Sequence, residues 1–377
     1  MRLLLSFLLL GMVWSACGQN LRLVANLPSV LNENSGLIPA DQGRLWMHND
    51  GGDSAKLYLA DTLGAIIRTV VVDQAQNMDW EDVTRDPQGR VYVGDIGNNN
   101  NTRQDLVIYR LPNLDTVQGR HVTAATIRFY YPEQSSFPPA DQARKYDAEA
   151  LIYYRDSLYI FTKDRTSPHQ GYTWLYQIPA DTGYHAARLL DSFATGQLSW
   201  VFEVTAASLS PNQQQLVLLG ANRVWLFQNF TGSDFFGGSQ QTLNLGTVTQ
   251  KEAIGFADPY KVYISNENSF LGGPSLQELS LSNWVQLETL EVVTDPTVLP
   301  NPARDWVELR LSLARRARMK VGLYQLDGRC IQQWPASTLQ AGSQTCRFEL
   351  PDVPTGWYYW RVKVGRRWFV KRLQIKG

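Results

Sequence analysis

The sequence predicts an all-β protein, with a β-propeller of five or six blades followed by a small Ig-like β-sandwich. Short alternating strands recur along the chain, and no segment shows the 3.6-residue period of a helix. Aromatic residues, which favour strands, make up 11% of the residues. At 377 residues the chain also exceeds one average domain, so two folded parts are expected.

Composition excludes several classes of protein. The chain has 35 Lys+Arg and 35 Asp+Glu, so its net charge is zero and nucleic-acid binding is not expected. Three cysteines are too few for a disulfide scaffold. Beyond the N-terminal segment no apolar run approaches the ~18 residues of a membrane span, so no membrane span is expected.

Residues 1–18 are predicted to be a secretory signal peptide. Arg2 supplies a positive start, an apolar run follows from Leu3 to Val13, and small residues precede position 19. The alternative is a lipobox in which Cys17 becomes a lipidated N-terminus, although Trp14 stands where such a box has a small aliphatic residue. Both alternatives predict export.

Residues 19–290 contain a repeated unit that predicts the propeller. Each copy has an inner strand that starts with small or acidic residues, a turn, and an apolar second strand. The second strands begin at Arg44, Arg90, Ser157, Leu216 and Lys261. Four-stranded units at intervals of about 45–70 residues are typical of propeller blades. The strand at 21–27 is expected to pair beside 276–281 and close the ring.

Two alternatives remain open for this region. The long interval between Glu81 and Glu149 leaves room for a sixth blade, and a pair of β-sandwiches is a different architecture with similar strands. The segments Asp79 to Asp82 and Gly94 to Asn98, together with the blade pattern, resemble secreted propellers of the NHL, gluconolactonase and esterase-like-phytase kinds. This resemblance implies a fold and no particular activity.

Antiparallel pairing brings the start of an inner strand and the end of the second strand to one face of a propeller. The candidate ligand-binding residues at that mouth of the channel are Glu81, Asp82, Asp95, Asp147, Glu149, Glu252, Asn266 and Glu267. The second-strand ends also place His48, Asp50 and Lys163 at this mouth. Their oxygens suit a hard cation such as Ca²⁺, for which Glu81, Glu149 and Glu252 are the predicted ligands. The alternative is structural, with these side chains accepting backbone N–H groups across the channel.

The last part of the chain has its own charge. From Val298 to Gly377 there are 15 Lys+Arg and 5 Asp+Glu, whereas the rest holds 20 and 30. This asymmetry predicts a second domain at 298–377, with a linker at 291–297. Alternation in Trp306 to Leu311 and the turn signal Asp327-Gly328 predict short strands of a sandwich.

Motifs in this segment resemble the C-terminal sorting domain of type IX secretion, found in Bacteroidetes. They are Leu299 to Asp305, Val321 to Arg329, Gly356 to Val362 and Val370 to Leu373. Trp357 departs from the Val or Ile usual in the family. The resemblance implies recognition by the outer-membrane translocon and removal by a sortase-like peptidase that links the protein to surface lipopolysaccharide. The predicted location is therefore extracellular or on the outer-membrane surface.

Cysteine pairing in this domain is left open by the sequence. Cys330 and Cys346 both lie in the segment, and an oxidising periplasm permits a disulfide between them. The strand register that would decide the matter is not readable from the sequence.

The sequence supports three functional hypotheses. The first is a secreted, surface-attached module that binds a glycan or small molecule or acts as a scaffold. The second is a metal-dependent hydrolase of lactonase, phosphoesterase or glycosidase type with its site at the channel mouth. The third is an adhesive protein that uses outer loops and needs no ion. The sequence contains no G-x-S-x-G, P-loop or G-x-G-x-x-G motif to favour an enzyme class.

Overall fold

The computed structural model describes residues 21–270, 272–282, 284, 296–313, 317–326, 328–364 and 367–376. The predicted signal peptide, positions 291–295 of the predicted linker, and Asp327 of the predicted turn lie outside these residues. The chain divides into two compact units, with the boundary between Val285 and Gln286. Among the described residues no helix is long and apolar enough to cross a membrane.

The described residues of the first unit form 22 strands. They are β1 (Arg22–Asn26), β2 (Asn34–Ala40), β3 (Arg44–Asn49), β4 (Lys56–Asp61), β5 (Ile66–Asp73), β6 (Trp80–Arg85), β7 (Arg90–Asp95), β8 (Val107–Asn113), β9 (His121–Thr123), β10 (Ala125–Tyr130), β11 (Asp147–Tyr154), β12 (Ser157–Lys163), β13 (Tyr172–Pro179), β14 (Gly183–Ala186), β15 (Arg188–Ala194), β16 (Ala206–Leu209), β17 (Gln215–Gly220), β18 (Arg223–Gln228), β19 (Ser239–Asn244), β20 (Lys251–Asp258), β21 (Lys261–Asn266) and β22 (Ser275–Ser280). The described helical segments are three short 3₁₀ turns at Ser29–Leu31, Asp41–Gly43 and Asp141–Ala143.

These strands form five sheets with a propeller-like order. The sheets run β2-β3-β4-β5-β9, β6-β7-β8-β10-β14, β11-β12-β13-β15, β16-β17-β18-β19 and β20-β21-β22-β1. The first strand of each sheet contacts the first strands of two other sheets in a closed cycle, β2, β6, β11, β16, β20 and back to β2. The all-β prediction is therefore confirmed, and β7 to β10 occupy much of the interval where a sixth blade had room.

Two short strands extend the outer edges of neighbouring sheets. Strand β9, from the connection between β8 and β10, pairs parallel with β5 of the preceding sheet. Strand β14 pairs parallel with β10 in the same way. Each added strand covers an edge that would otherwise leave backbone groups unpaired.

The first strand of the chain closes the last sheet, as the sequence predicts. Strand β1 pairs antiparallel with β22, with Arg22 opposite Glu278 and Asn26 opposite Ser275. Arg22 also donates to Glu278 at 3.0 Å. Pairing of residues so distant in sequence ties the two ends of this unit together.

The position of each inner strand explains the residues found in it. All eight residues of β11 are buried, because its two faces meet other sheets and its edge lines the centre. Apolar side chains of adjacent sheets pack together, as Tyr92 stacks on Tyr153 with ring centroids 5.5 Å apart.

The turns are capped by short acids: Asp86 accepts the backbone N–H of Gln88 and of Arg90, each at 2.9 Å.

In the second unit, the part of the chain that the structure describes forms seven strands in two sheets. They are β23 (Thr297–Leu299), β24 (Trp306–Leu313), β25 (Ala317–Tyr324), β26 (Cys330–Leu339), β27 (Gly342–Glu349), β28 (Gly356–Val364) and β29 (Arg367–Ile375). The sheet orders are β23-β24-β27 and β26-β25-β28-β29. Alternate residues, such as Val307, Leu323 and Trp360, are buried in one apolar core.

Both described cysteines are free thiols. Cys330 is exposed on β26 and Cys346 is half-buried on β27. The disulfide that the sequence left open is therefore not formed in this structure.

Candidate functional site: an acid-rich mouth of the central ring

Strand register brings the predicted inner-strand starts beside the second-strand ends. Trp80 pairs with Asp95, and Asp147 pairs with Lys163. Lys251 pairs with Asn266 in the same position of the last sheet. The side chains that follow these positions therefore collect at one end of the ring, which we call the acidic mouth.

Two cations neutralise part of the acidic mouth. Arg165 donates to Asp147 at 2.6 Å and to Glu149 at 3.2 Å. Lys163 donates to Glu149 at 3.1 Å. Asp147 also accepts the backbone N–H of Asn98 at 2.6 Å, so its carboxylate joins two sheets. Glu149, predicted as a metal ligand, is thus held by two positively charged side chains.

Glu81 faces an excess of negative charge. Its carboxyl is buried, and burial together with Glu149, Asp79 and Asp147 raises its pKa well above the usual range. Burial and Asp147 likewise raise the pKa of Asp79. A Cβ at Gly97 would lie 2.2 Å from Glu81 Oε1 and 2.4 Å from Asp79 Oδ2, so glycine leaves the space that these carboxylates occupy.

A second group of carboxylates lies at the acidic mouth. Oxygens of Glu33, Asp50 and Glu267 are all within 4.8 Å of one another. Burial and Glu33 raise the pKa of Asp50 to about 7. Burial and Glu252 raise the pKa of Glu267 to about 8. The pKa of Glu252 is itself raised by burial, which Lys163 and Arg165 oppose.

Three of the predicted residues have structural contacts. Asp82 accepts the backbone N–H of Leu151 at 2.8 Å and of Ala207 at 3.1 Å, so it joins three sheets. Asp95 pairs with Arg103 at 3.0 Å. Asn266 donates to Ser275 at 3.2 Å within its own sheet. The contacts of Asp82 are of the structural kind described in the sequence analysis, in which a carboxylate accepts backbone N–H groups across the channel.

His48, the histidine expected near the mouth, lies in the core instead. Its side chain is fully buried against Trp80, with ring centroids 5.5 Å apart. A Cβ at position 36 would lie 2.0 Å from Nε2 of His48, so Gly36 leaves the space that this ring occupies. Burial lowers its pKa to about 4, so the ring is neutral at physiological pH.

Several residues of the acidic mouth are absent from the predicted set. They are Glu33, Asp79, Arg165, His169 and Glu203. Glu33 stands one residue before β2. Allowing one residue before each inner strand would have found it. Glu203 and His169 lie in connections, where His169 Nδ1 is 3.9 Å from Glu203 Oε1, and no strand pattern marks them.

Charge decides what this arrangement can do chemically. The carboxylates of the mouth are Glu33, Asp50, Asp79, Glu81, Asp95, Asp147, Glu149, Glu203, Glu252 and Glu267, and the described Lys and Arg that pair with or act on them are Arg103, Lys163 and Arg165. Negative charge therefore exceeds positive charge in a partly buried space. Such a site favours a bound cation or holds protons at an unusually high pH.

Comparison with known proteins identifies the second unit. Residues 297–376 match the family of secretion system C-terminal sorting domains. No curated protein matches the chain at a significant level.

Three solved structures are similar to parts of the chain. The PQQ-bound aldose sugar dehydrogenase of Streptomyces coelicolor is 12% identical, with TM-score 0.43, over 69% of this chain and 98% of that chain. PorZ of Porphyromonas gingivalis, a surface component of the type IX secretion system, is 11% identical, with TM-score 0.34, over 91% of this chain and 45% of that chain. A protein assigned as a gluconolactonase is 11% identical, with TM-score 0.37, over 66% of this chain and 74% of that chain. The order of the five sheets and the closed cycle of their first strands make the first unit propeller-like.

The sorting domain has a direct consequence for location. Proteins that carry it are exported and released or attached at the cell surface, as the motifs from Leu299 to Leu373 imply. Residues 297–376 of this secreted or surface-attached protein are a type IX secretion C-terminal sorting domain.

Proposed function

We propose that the first unit is a five-bladed propeller, spanning about 19–290, that binds a ligand at its acidic mouth through a divalent cation. A short linker joins it to a small Ig-like sorting domain. The observation that carries the proposal is the triad of Glu33, Asp50 and Glu267, whose oxygens lie within 4.8 Å of one another. The ion we propose is Ca²⁺, and the ligand is a glycan or another hydroxyl-rich molecule.

The chemistry of the triad supports this cation. Ca²⁺ takes six to eight oxygen ligands, which carboxylates supply singly or in pairs. Three carboxylates leave coordination positions that ligand hydroxyls can fill. The raised pKa values of Asp50 and Glu267 also mean that ionising both without a cation costs free energy. A bound dication removes that cost.

The proposal is tested by thermal unfolding of the full chain with and without Ca²⁺. A ligand that binds only the folded state at 100 times its Kd adds about 2.7 kcal/mol, which raises Tm by several degrees. Asp50→Asn and Glu267→Gln should abolish the rise. Asp181→Asn, at a largely exposed position in the connection between β13 and β14, is the matched control.

The same measurement separates two locations for the ion. If Glu149→Gln abolishes the rise and Glu267→Gln does not, the ion occupies the predicted set Glu81, Glu149 and Glu252. No rise in any of these proteins, with no bound metal by elemental analysis, would reject the cation. A glycan array with and without EGTA then tests the ligand class.

The runner-up is a metal-dependent hydrolase of lactonase, phosphoesterase or glycosidase type. One observation favours it: Glu81 is buried among carboxylates with a raised pKa, as general acids often are. Ester, phosphoester, lactone and glycoside substrates should be turned over by the full chain in Ca²⁺, and Glu81→Gln should lower kcat. If none of the four substrates is hydrolysed while Ca²⁺ still raises Tm, the hydrolase function is rejected and the binding function is retained.

A further inference from the structure

The charged side chains on the four-stranded sheet of the sorting domain are all positive. Strands β25, β26, β28 and β29 contain seven Lys or Arg residues and no Asp or Glu. In β25 and β28 the charged residues are Arg318, Lys320, Arg361 and Lys363. All four alternate with buried residues, so they lie on the face turned away from the core. We call this the basic face.

Pairing across the strands concentrates that charge. Lys320 lies directly opposite Lys363. Like charges directly opposite each other on one sheet face are destabilising. Arg372 of β29 lies opposite Tyr359 on the same face. The register therefore places positive charges side by side on the basic face, to which an anion extending across the strands is complementary.

Aromatic rings lie among these cations. The Arg361 guanidinium lies 4.9 Å from the ring centroid of Tyr324, and that of Arg372 lies 4.9 Å from Trp357. The Tyr324 ring leans over Gly322, where a Cβ would meet its Cε2 at 2.7 Å. Trp357 is 44% exposed. The rings and guanidinium groups therefore form a broad surface instead of separate projecting side chains.

The other sheet of the same domain is different. In β24 and β27 the one arginine lies two residues from an acid, and Arg310 pairs with Glu308 at 2.9 Å. Arg347 pairs with Glu349 at 3.1 Å. The absence of acids is thus a property of the basic face and not of the domain. This contrast also supplies matched control positions.

We propose that the basic face binds an anionic polysaccharide. Charge complementarity requires a polyanion, and the exposed ring of Trp357 beside Tyr324 and Tyr359 suits the apolar faces of sugar rings better than a folded acidic protein. Trp357 is also the position at which this chain departs from the sorting-domain pattern. The proposal is independent of the acidic mouth and of the ligand proposed for it.

The test is binding of the full chain to immobilised alginate and dextran sulfate, with neutral dextran as the blank, at several salt concentrations. Lys320→Gln/Lys363→Gln should weaken binding at least tenfold and reduce its salt dependence. Arg310→Gln/Arg347→Gln removes the same charge from the other sheet and should change binding less than twofold. Trp357→Val should weaken binding about fivefold with an unchanged salt dependence, since it removes stacking and no charge.

Four outcomes would overturn the proposal. They are no binding to either polysaccharide, equal losses in the two double variants, tighter binding to polyglutamate, and tighter binding to single-stranded DNA. The first two reject a specific anion-binding face, and the last two assign it to another class of partner. Thermal unfolding of Trp357→Val confirms that the fold is retained, because Val suits a strand.

Discussion

Oδ2 of Asp82 lies 2.8 Å from the backbone N of Leu151, although 69 residues separate the two in the chain. The same oxygen accepts the N–H of Ala207 at 3.1 Å, and Oδ1 accepts that of Val83 at 2.8 Å. One buried carboxyl therefore connects β6, β11 and β16 at the centre of the ring. It holds together the strands from which the acidic mouth is built.

Replacing Asp82 should destabilise the whole first unit. Asp82→Ala leaves three buried N–H groups without acceptors, and each costs about 1–3 kcal/mol, so we expect a loss of at least about 3 kcal/mol in the free energy of unfolding. Asp82→Asn keeps one oxygen and should lose less. Urea unfolding measures both, and Asp181→Ala, at an exposed position, should change stability by less than about 0.5 kcal/mol. A loss for Asp82→Ala no larger than for Asp181→Ala would contradict this role.

Breaking the ion pairs of Arg165 should lower the free energy of unfolding more than breaking a surface ion pair does. Arg165→Gln leaves buried Asp147 without its cation and Glu149 with Lys163 alone, which we expect to cost about 3 kcal/mol. The control is Arg144→Gln, because Arg144 pairs with Asp141 at 2.9 Å in a more exposed setting. That pair should contribute about 0–1 kcal/mol. Equal effects in urea unfolding would show that Arg165 is not essential to the mouth.

The carboxylates of the triad predict a definite pH dependence. The folded pKa values of Asp50 and Glu267, about 7 and about 8, lie above the ordinary values of 3.8 and 4.5. Such groups stabilise the fold below pH 4, and the contribution is lost as pH rises toward 8. Without Ca²⁺, Tm should therefore fall between pH 5 and pH 8.5, and Ca²⁺ should raise Tm more at pH 8.5 than at pH 5. The measurement is a pH series of melting curves, and the Asp50→Asn/Glu267→Gln variant should show a flatter profile.

Gly97 provides a steric test of the site. A methyl group there would contact Glu81 and Asp79, at 2.2 Å and 2.4 Å, so Gly97→Ala must displace both carboxylates. Overpacking of this kind typically costs about 1–3 kcal/mol, and it should also weaken Ca²⁺ or ligand binding at the mouth. Gly272→Ala is the control, since a Cβ there has no atom within 4 Å. Titration calorimetry and melting curves that do not distinguish the two variants would show that the space beside Gly97 is not used.

Several features could be predicted because they depend on local pattern. The strand periods of β2 to β22, the closing partner of β1 and the sorting motifs are all encoded in short stretches of sequence. The convergence of Glu81, Asp147 and Glu149 could also be predicted, because antiparallel pairing alone brings strand starts beside strand ends. Arg165 and Glu203 were missed, since their positions depend on how connections fold and no period marks them.

The sequence by itself determined the fold class, the location and the two oppositely charged parts of the chain. Those properties come from composition, from alternation with period two, and from motifs in residues 297–376. Only the tertiary structure decided which acids are neutralised and which remain as a cluster. It pairs Asp147 with Arg165, makes Asp82 a backbone acceptor, and brings Glu33, Asp50 and Glu267 together. The physical reason is that burial and distance set the charge of a carboxyl group, and neither can be read from the spacing of residues along the chain.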